Sequence, residues 1–430
     1  MKNLDLAIHF FFQIALILAA CRVVGVLAKR LGQPQVVAEM IAGVCLGPSL
    51  FGLFWPELQK AIFPWDSTQV ARDTSSYLFP ASQLGLALYM FIVGLEFRVD
   101  IIRSHFRSSL AVSIAGMVTP FLLGAGLAYI LYQRGGMFPE KTSLFEAMLF
   151  LGASMCITAF PMLARIIHFK GLAGTLMGTV AIGAGAIDDA AAWCLLAIVL
   201  ASFDNNPAGA IQSIGGGFAF VLLAVLVLRP LLAKFEKWLL NERGELSESG
   251  MVIGLMFMAL GAWFTDKLHL HAVFGAFVMG AVMPRGAVNR DLISRIQPLA
   301  VSLLLPLFFT YSGLNTQIGL LNSGSLWLIA LAILVVAILG KGVACAVAAR
   351  ASGLPQRESL GIGALMNARG LMELIIINIG LQRGLITKEL FATLVIMAVV
   401  TTLMASPIFD WLVPAGSARS STEGDTPSAS

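Results

Sequence analysis

The chain has 430 residues, of which 58% are hydrophobic and 12% charged, where an average soluble domain carries about a quarter charged residues. Its mean hydropathy is +0.86, its formal net charge is +4, and its lysines and arginines are scattered between apolar runs. A multidomain soluble protein and a nucleic-acid binder are both excluded, since there is too little polar residue to cover a surface and no basic stripe to grip phosphate.

In chain order, apolar stretches run over 5–28, 34–53, 76–97, 108–132, 144–168, 173–202 and 209–228. After the polar segment Lys234 to Ser249 they resume at 250–265, 268–284, 297–318, 322–349, 357–382 and 387–413. Each is long enough, or nearly so, to cross a bilayer as a helix, so the expected fold is all-α and polytopic with thirteen spans. Leu18-Ala19-Ala20-Cys21 has the form of a lipoprotein cleavage box, but the apolar run resumes after Arg22, and the first stretch reads as a retained transmembrane helix. The five cysteines, at 21, 45, 156, 194 and 345, form no CxxC pair and no histidine stands at metal spacing. They read as small apolar residues, and no cofactor is expected.

An odd number of spans puts the termini on opposite sides of the membrane. With the amino terminus outside, seventeen basic residues fall in cytoplasmic connections and eight on the other side. That asymmetry places the carboxyl terminus in the cytoplasm. The Ser-rich tail, 416–430, has no apolar periodicity and is expected to be disordered, with no domain appended.

Thirteen spans divide as six, one linker and six, and an odd linker inverts the second six. Weak echoes of such a repeat are Gly43-x-x-x-Gly47-Pro48 and Gly275-x-x-x-Met279-Gly280 followed by Pro284. A firmer one is that the fifth span of each half is interrupted, by Thr158-Ala159-Phe160-Pro161 and by Asn367-Ala368-Arg369-Gly370. Broken helices in corresponding positions mark a transporter's binding site.

Ionised side chains inside a membrane are costly, and each needs a partner or an exit to the interface. Glu39, Arg22, Glu96 and Arg98 lie within roughly two turns of a span end, where they reach the interface. Asp188, Asp189, Lys341, Arg369 and Glu373 do not. Asp188 is eighteen residues after Lys170 and sixteen before Asp204, near the midplane at a rise of about 1.5 Å per residue. Adjacent helical residues point about 100° apart, so one of the two aspartates holds a structural partner while its neighbour faces a cavity. Desolvation and mutual repulsion oppose a doubly ionised pair, so a proton and a cation compete there. Lys341 stands nine residues before Arg350, roughly 13 Å into its span, and needs an internal anion. Arg369 and Glu373 can meet as an i, i+4 pair, which leaves Lys341 for the aspartates. Pro161 cannot donate to the Ile157 carbonyl and pushes its predecessor out of helical geometry, so the fifth span should unwind near Thr158 to Pro161. The Thr158 hydroxyl, freed carbonyls and an aspartate would then offer oxygen ligands to a hard monovalent cation.

Several segments resemble the second family of monovalent cation/proton antiporters, which includes Nap-type sodium/proton antiporters, Kef potassium efflux systems and plant CHX exchangers. They are Ala38-Glu39-Met40-Ile41-Ala42-Gly43 with Leu46-Gly47-Pro48, Val93-Gly94-Leu95-Glu96, Thr158 to Arg165, Pro306-Leu307-Phe308-Phe309, and Asn367 to Leu374. The resemblance extends nearly to Asp410. It implies an Nha-type inverted repeat with two broken crossing helices and an elevator motion. Dimer-domain helices are expected within 1–107 and 250–318, a linker helix at 209–228 and core helices within 108–202 and 322–413, all in one transmembrane domain, 1–415. The implied function is exchange of Na+ or K+ for protons, by a homodimer in a bacterial inner membrane, in the service of pH homeostasis. The family's ion-carrying aspartate matches Asp189; Asp188 stands where Nap-type members pair an aspartate with a lysine matching Lys341. That favours sodium and electrogenic exchange over a CHX-like potassium assignment. A sodium-coupled organic-anion symporter and a membrane enzyme are the other readings, the latter disfavoured because both aspartates lie on one helix.

Overall fold

The computed structural model describes residues 3–30, 33, 35–63, 69–97, 105–172, 174–203, 207–268, 270, 272–314 and 318–413. The expected tail, 416–430, lies outside them. The described residues are helical throughout apart from turns, and their one β pairing is an isolated bridge between Leu240 and Leu246. In order the helices are α1 (Asn3–Arg30), α2 (Gln35–Leu46), α3 (Phe51–Phe54), α4 (Pro56–Ile62), α5 (Gln69–Glu96), α6 (Phe106–Arg134), α7 (Leu144–Cys156), α8 (Phe160–Phe169) and α9 (Leu176–Phe203). There follow α10 (Pro207–Leu223), prolonged through a π turn at Ala224–Leu228 into Arg229–Lys234, a short helix Glu236–Leu239, α11 (Glu248–Lys267), α12 (Ala272–Val282) and α13 (Ala287–Leu299). The last are α14 (Leu305–Leu314), α15 (Gly324–Ala351), α16 (Gln356–Met366), α17 (Leu371–Gln382) and α18 (Lys388–Leu412). Among the described residues nine helical segments are long and apolar enough to cross a membrane.

Helix starts follow local sequence. Ser143 and Glu146 form a reciprocal capping box at the head of α7, while Ser247, Ser323 and Thr387 each accept a backbone N–H at the starts of α11, α15 and α18. Such caps satisfy donors that the first turn leaves open.

Two compact units emerge, one of residues 1–24, 42–97 and 196–315, the other of 25–41, 98–195 and 316–430. In the first, glycines let backbones meet. A Cβ on Gly94 would lie 2.1 Å from the Phe277 carbonyl oxygen, and one on Gly280 2.1 Å from that of Phe91, so α5 and α12 cross at small residues, as membrane helices do. Gly43 meets the Phe309 carbonyl in the same way. The glycines of the two repeat echoes therefore serve as crossing points. Arg285 donates to the carbonyls of Leu95 (2.8 Å) and Phe97 (2.5 Å), and Asn289 to Leu95 (2.6 Å), capping the end of α5.

The second unit holds α6, α7, α8, most of α9 and α15 to α18. Its core gathers Val112, Leu163, Ile167, Val180, Ile362 and Phe409, all buried. Both expected interruptions are present: Ile157 to Ala159 separates α7 from α8, and Asn367 to Gly370 separates α16 from α17. The first lies slightly earlier than expected. Pro161 is the second residue of α8, where its missing N–H would have had no helical acceptor in any case, so the unwound residues precede it.

Candidate functional site

The stretch Gly183-Ala184-Gly185-Ala186 precedes the two aspartates on α9 and keeps the helix thin on all sides there. A Cβ on Gly183 would fall 2.4 Å from Ser109 Oγ of α6, and one on Gly185 2.6 Å from Leu163 of α8. Neighbouring helices thus approach closely enough for short side chains to reach Asp188. Its Oδ1 accepts from Ser113 Oγ of α6 at 2.6 Å, and its Oδ2 from Thr158 Oγ1, in the first break, at 2.6 Å. Lys341 Nζ of α15 donates to the same Oδ2 at 3.2 Å, with both side chains wholly buried. Three donors on one carboxylate are the additional hydrogen bonds a buried ion pair requires to offset its desolvation. Asp189, the next residue, is equally buried and points about 100° away around the helix.

The first break leaves α7 with four carbonyls that no helical N–H can reach. All four have acceptor roles. Cys156 Sγ donates to Ala153 O at 3.3 Å, Arg369 Nη1 to Ser154 O at 3.2 Å, Arg369 Nη2 to Met155 O at 2.6 Å, and Lys341 Nζ to Cys156 O. Two cations thereby also stand at the negative end of the α7 dipole. Of the carbonyls expected to be open to a cation, those of Ser154 to Cys156 are already taken by protein donors.

The second break crosses the first. Ala159 N–H donates to Ala368 O at 3.3 Å, Thr402 Oγ1 of α18 to Arg369 O at 2.6 Å, and Asn367 Nδ2 to Gly363 O at 3.2 Å. Arg369 Nη1 reaches Glu373 Oε1 at 3.3 Å, the i, i+4 pair anticipated from spacing. Both expected ion pairs, Asp188–Lys341 and Arg369–Glu373, are therefore formed, and Thr158 joins Asp188. Reading the sequence missed Ser113 and Thr402. The only signal for Ser113 is that, four residues after Ser109, it sits on one face of an apolar helix, a pattern with many bland explanations.

The crossing brings together five buried ionisable side chains. Asp188, Asp189 and Glu373 against Lys341 and Arg369 leave one uncompensated negative charge when all are ionised.

Known proteins resemble this chain over nearly its whole length. The family described as "Sodium/hydrogen exchanger, transmembrane" matches residues 14–414. The Na(+)/H(+) antiporter NhaS4 of Synechocystis sp. is 38% identical over 408 residues, 94% of this chain and 96% of that protein. Cation/H(+) antiporter 20 of Arabidopsis thaliana is 35% identical over 92% of this chain, which spans 47% of the plant protein's length. Among solved structures, the sodium proton antiporter MjNhaP1 from Methanocaldococcus jannaschii superposes with a TM-score of 0.65 over 95% of this chain and 99% of its own, at 14% identity, a likeness of fold.

Proposed function

Because the chain belongs to the sodium/hydrogen exchanger family, a family of multi-pass monovalent cation/proton antiporters, we propose that it exchanges Na+ for protons with Asp189 as the shared carrier. The observation that carries this assignment is that Asp188 is held by three protein donors, its two oxygens accepting from Ser113, Thr158 and Lys341. A carboxylate so held positions its surroundings, and the exchangeable charge falls to its neighbour. Competition follows from the charge count: the site tolerates one added positive charge, so cation and proton displace each other.

In this reading Thr158 and Asp188 contribute oxygens beside the bound cation, and Asn367, Arg369 and Glu373 keep the second break in register with the first. Arg369 does so by holding the α7 carbonyls. The core helices within 108–202 and 322–413 carry the site across the membrane as a body, in an elevator motion, while helices within 1–107 and 250–318 support a homodimer. The membrane is a bacterial inner membrane and the physiological service is pH homeostasis. Sodium is preferred over potassium because Asp188 is a carboxylate paired with a lysine and because NhaS4, matched over nearly its whole length, is named a Na(+)/H(+) antiporter.

The test is cation-induced dequenching of a pH-sensitive dye in proteoliposomes, scanned over sodium, potassium and lithium. The reading expects sodium to give the largest response at equal concentration. A response confined to potassium would overturn the selectivity, and solute uptake without any proton movement would overturn the antiport itself.

A further inference from the structure

Beside Lys341, the outer face of α15 forms one wall of a groove of about 710 Å³ shared with α16 and the end of α18. That size falls within the roughly 300–1,000 Å³ of small-molecule sites. Its lining is apolar between two polar ends. Leu339, Val343 and Val347 line the α15 wall and are more than half exposed, while Leu360, Ile408 and Leu412 contribute to the other sides. Polar groups are confined to the two ends: Arg350, Gln356 and Ser359 at one, Asn367 of the second break at the other. From Ile338 to Arg350 the groove runs roughly 18 Å along the helix, close to the depth of one leaflet of a ~30 Å hydrocarbon layer.

Arg350 is exposed and commits one nitrogen, Nη1, to the Leu354 carbonyl at 2.9 Å. The rest of its fork is available to an acceptor, and Arg357 adds a second exposed positive charge in the first turn of α16. Guanidinium groups suit phosphate oxygens. We infer that this groove is a binding site for one anionic phospholipid, its phosphate at Arg350 and Gln356 and an acyl chain laid along α15 toward Asn367. Charge complementarity at one end and an apolar channel of leaflet depth select that occupant over a neutral lipid. The chain's far end reaches Gly342, where a Cβ would meet Asn367 Nδ2 at 2.4 Å, so the bound lipid braces the contact between the lysine-bearing helix and the second break.

The experiment uses the purified full-length protein in phosphatidylcholine nanodiscs with a trace of phosphatidylglycerol carrying a diazirine in its acyl chain, followed by peptide mass spectrometry after illumination. Adducts should concentrate on 338–351 and 356–367, and unlabelled phosphatidylglycerol should remove them severalfold more effectively than phosphatidylcholine. Arg350→Gln should abolish that discrimination, and Val343→Trp should empty the groove of label while labelling elsewhere along the chain stays at the wild-type level, which separates groove loss from misfolding. Adducts spread evenly over the lipid-facing helices, equal competition by the two lipids, or unchanged discrimination in Arg350→Gln would each overturn the inference.

Discussion

Replacing Lys341 with Gln removes the charge that faces Asp188 and leaves an N–H donor on a side chain one atom shorter. At 3.2 Å and an effective dielectric constant of about 20 the lost attraction is about 5 kcal/mol, in line with the roughly 3–5 kcal/mol seen when one partner of a buried pair is removed. Either Asp188 stays ionised at that cost, or it takes up a proton and the charge count of the site shifts. Thermal unfolding in detergent should therefore show Lys341→Gln strongly destabilised, and the double variant Lys341→Gln with Asp188→Asn should recover much of the loss, because both charges are then gone. The same substitution bears on transport. With Lys341 permanently charged, one cation replaces one proton and no net charge moves; if Lys341 releases its proton when the cation binds, two protons move against one cation and exchange is electrogenic. Transient currents on a supported membrane after a sodium jump should be present in the wild type and absent in Lys341→Gln. An unchanged current in the variant would remove Lys341 from the mechanism, and a wild type that exchanges without current would establish one-for-one stoichiometry.

Other consequences follow from the same geometry. Ser113→Ala and Thr158→Val each delete a 2.6 Å bond to the Asp188 carboxylate, and each should cost about 1.5–3 kcal/mol in unfolding measurements, with a worse than additive loss when combined. Arg369→Gln should destabilise more than Glu373→Gln, since Arg369 serves two α7 carbonyls as well as Glu373; the reverse order in melting temperatures would mean that the capping is energetically minor. Competition for one carboxylate requires the apparent sodium affinity to weaken steadily as pH is lowered from about 9 to about 6, and an affinity independent of pH would argue for separate cation and proton sites.

Much of this site could be read from the sequence because the membrane makes charge expensive. Depth alone singled out Asp188, Asp189, Lys341, Arg369 and Glu373, and the shortage of alternative partners paired Lys341 with the aspartates and Arg369 with Glu373. Pro161 marked the first break, although the unwound residues lie just before it. What stayed hidden depended on which helices touch. Nothing in the serines of an apolar helix says that α6 crosses α9 where Gly183 makes room for Ser109, one turn from Ser113. Nor did the sequence show that Lys341 and Arg369 would take the freed carbonyls of α7, because a freed carbonyl has no preference between a cation and a side-chain donor until the second break is laid across the first. Depth in the membrane marks the charges, whereas the neutral groups that hold them are set by packing.

The central claim, that Asp189 and not Asp188 is the exchanging carboxylate, is tested most directly by comparing Asp189→Asn and Asp188→Asn in proteoliposomes, with sodium-induced dequenching as the readout. Asp189→Asn should abolish exchange, while Asp188→Asn, which keeps one acceptor oxygen for Ser113 or Thr158 but loses the ion pair, should retain residual exchange with a changed current. Wild-type rates in Asp189→Asn would contradict it.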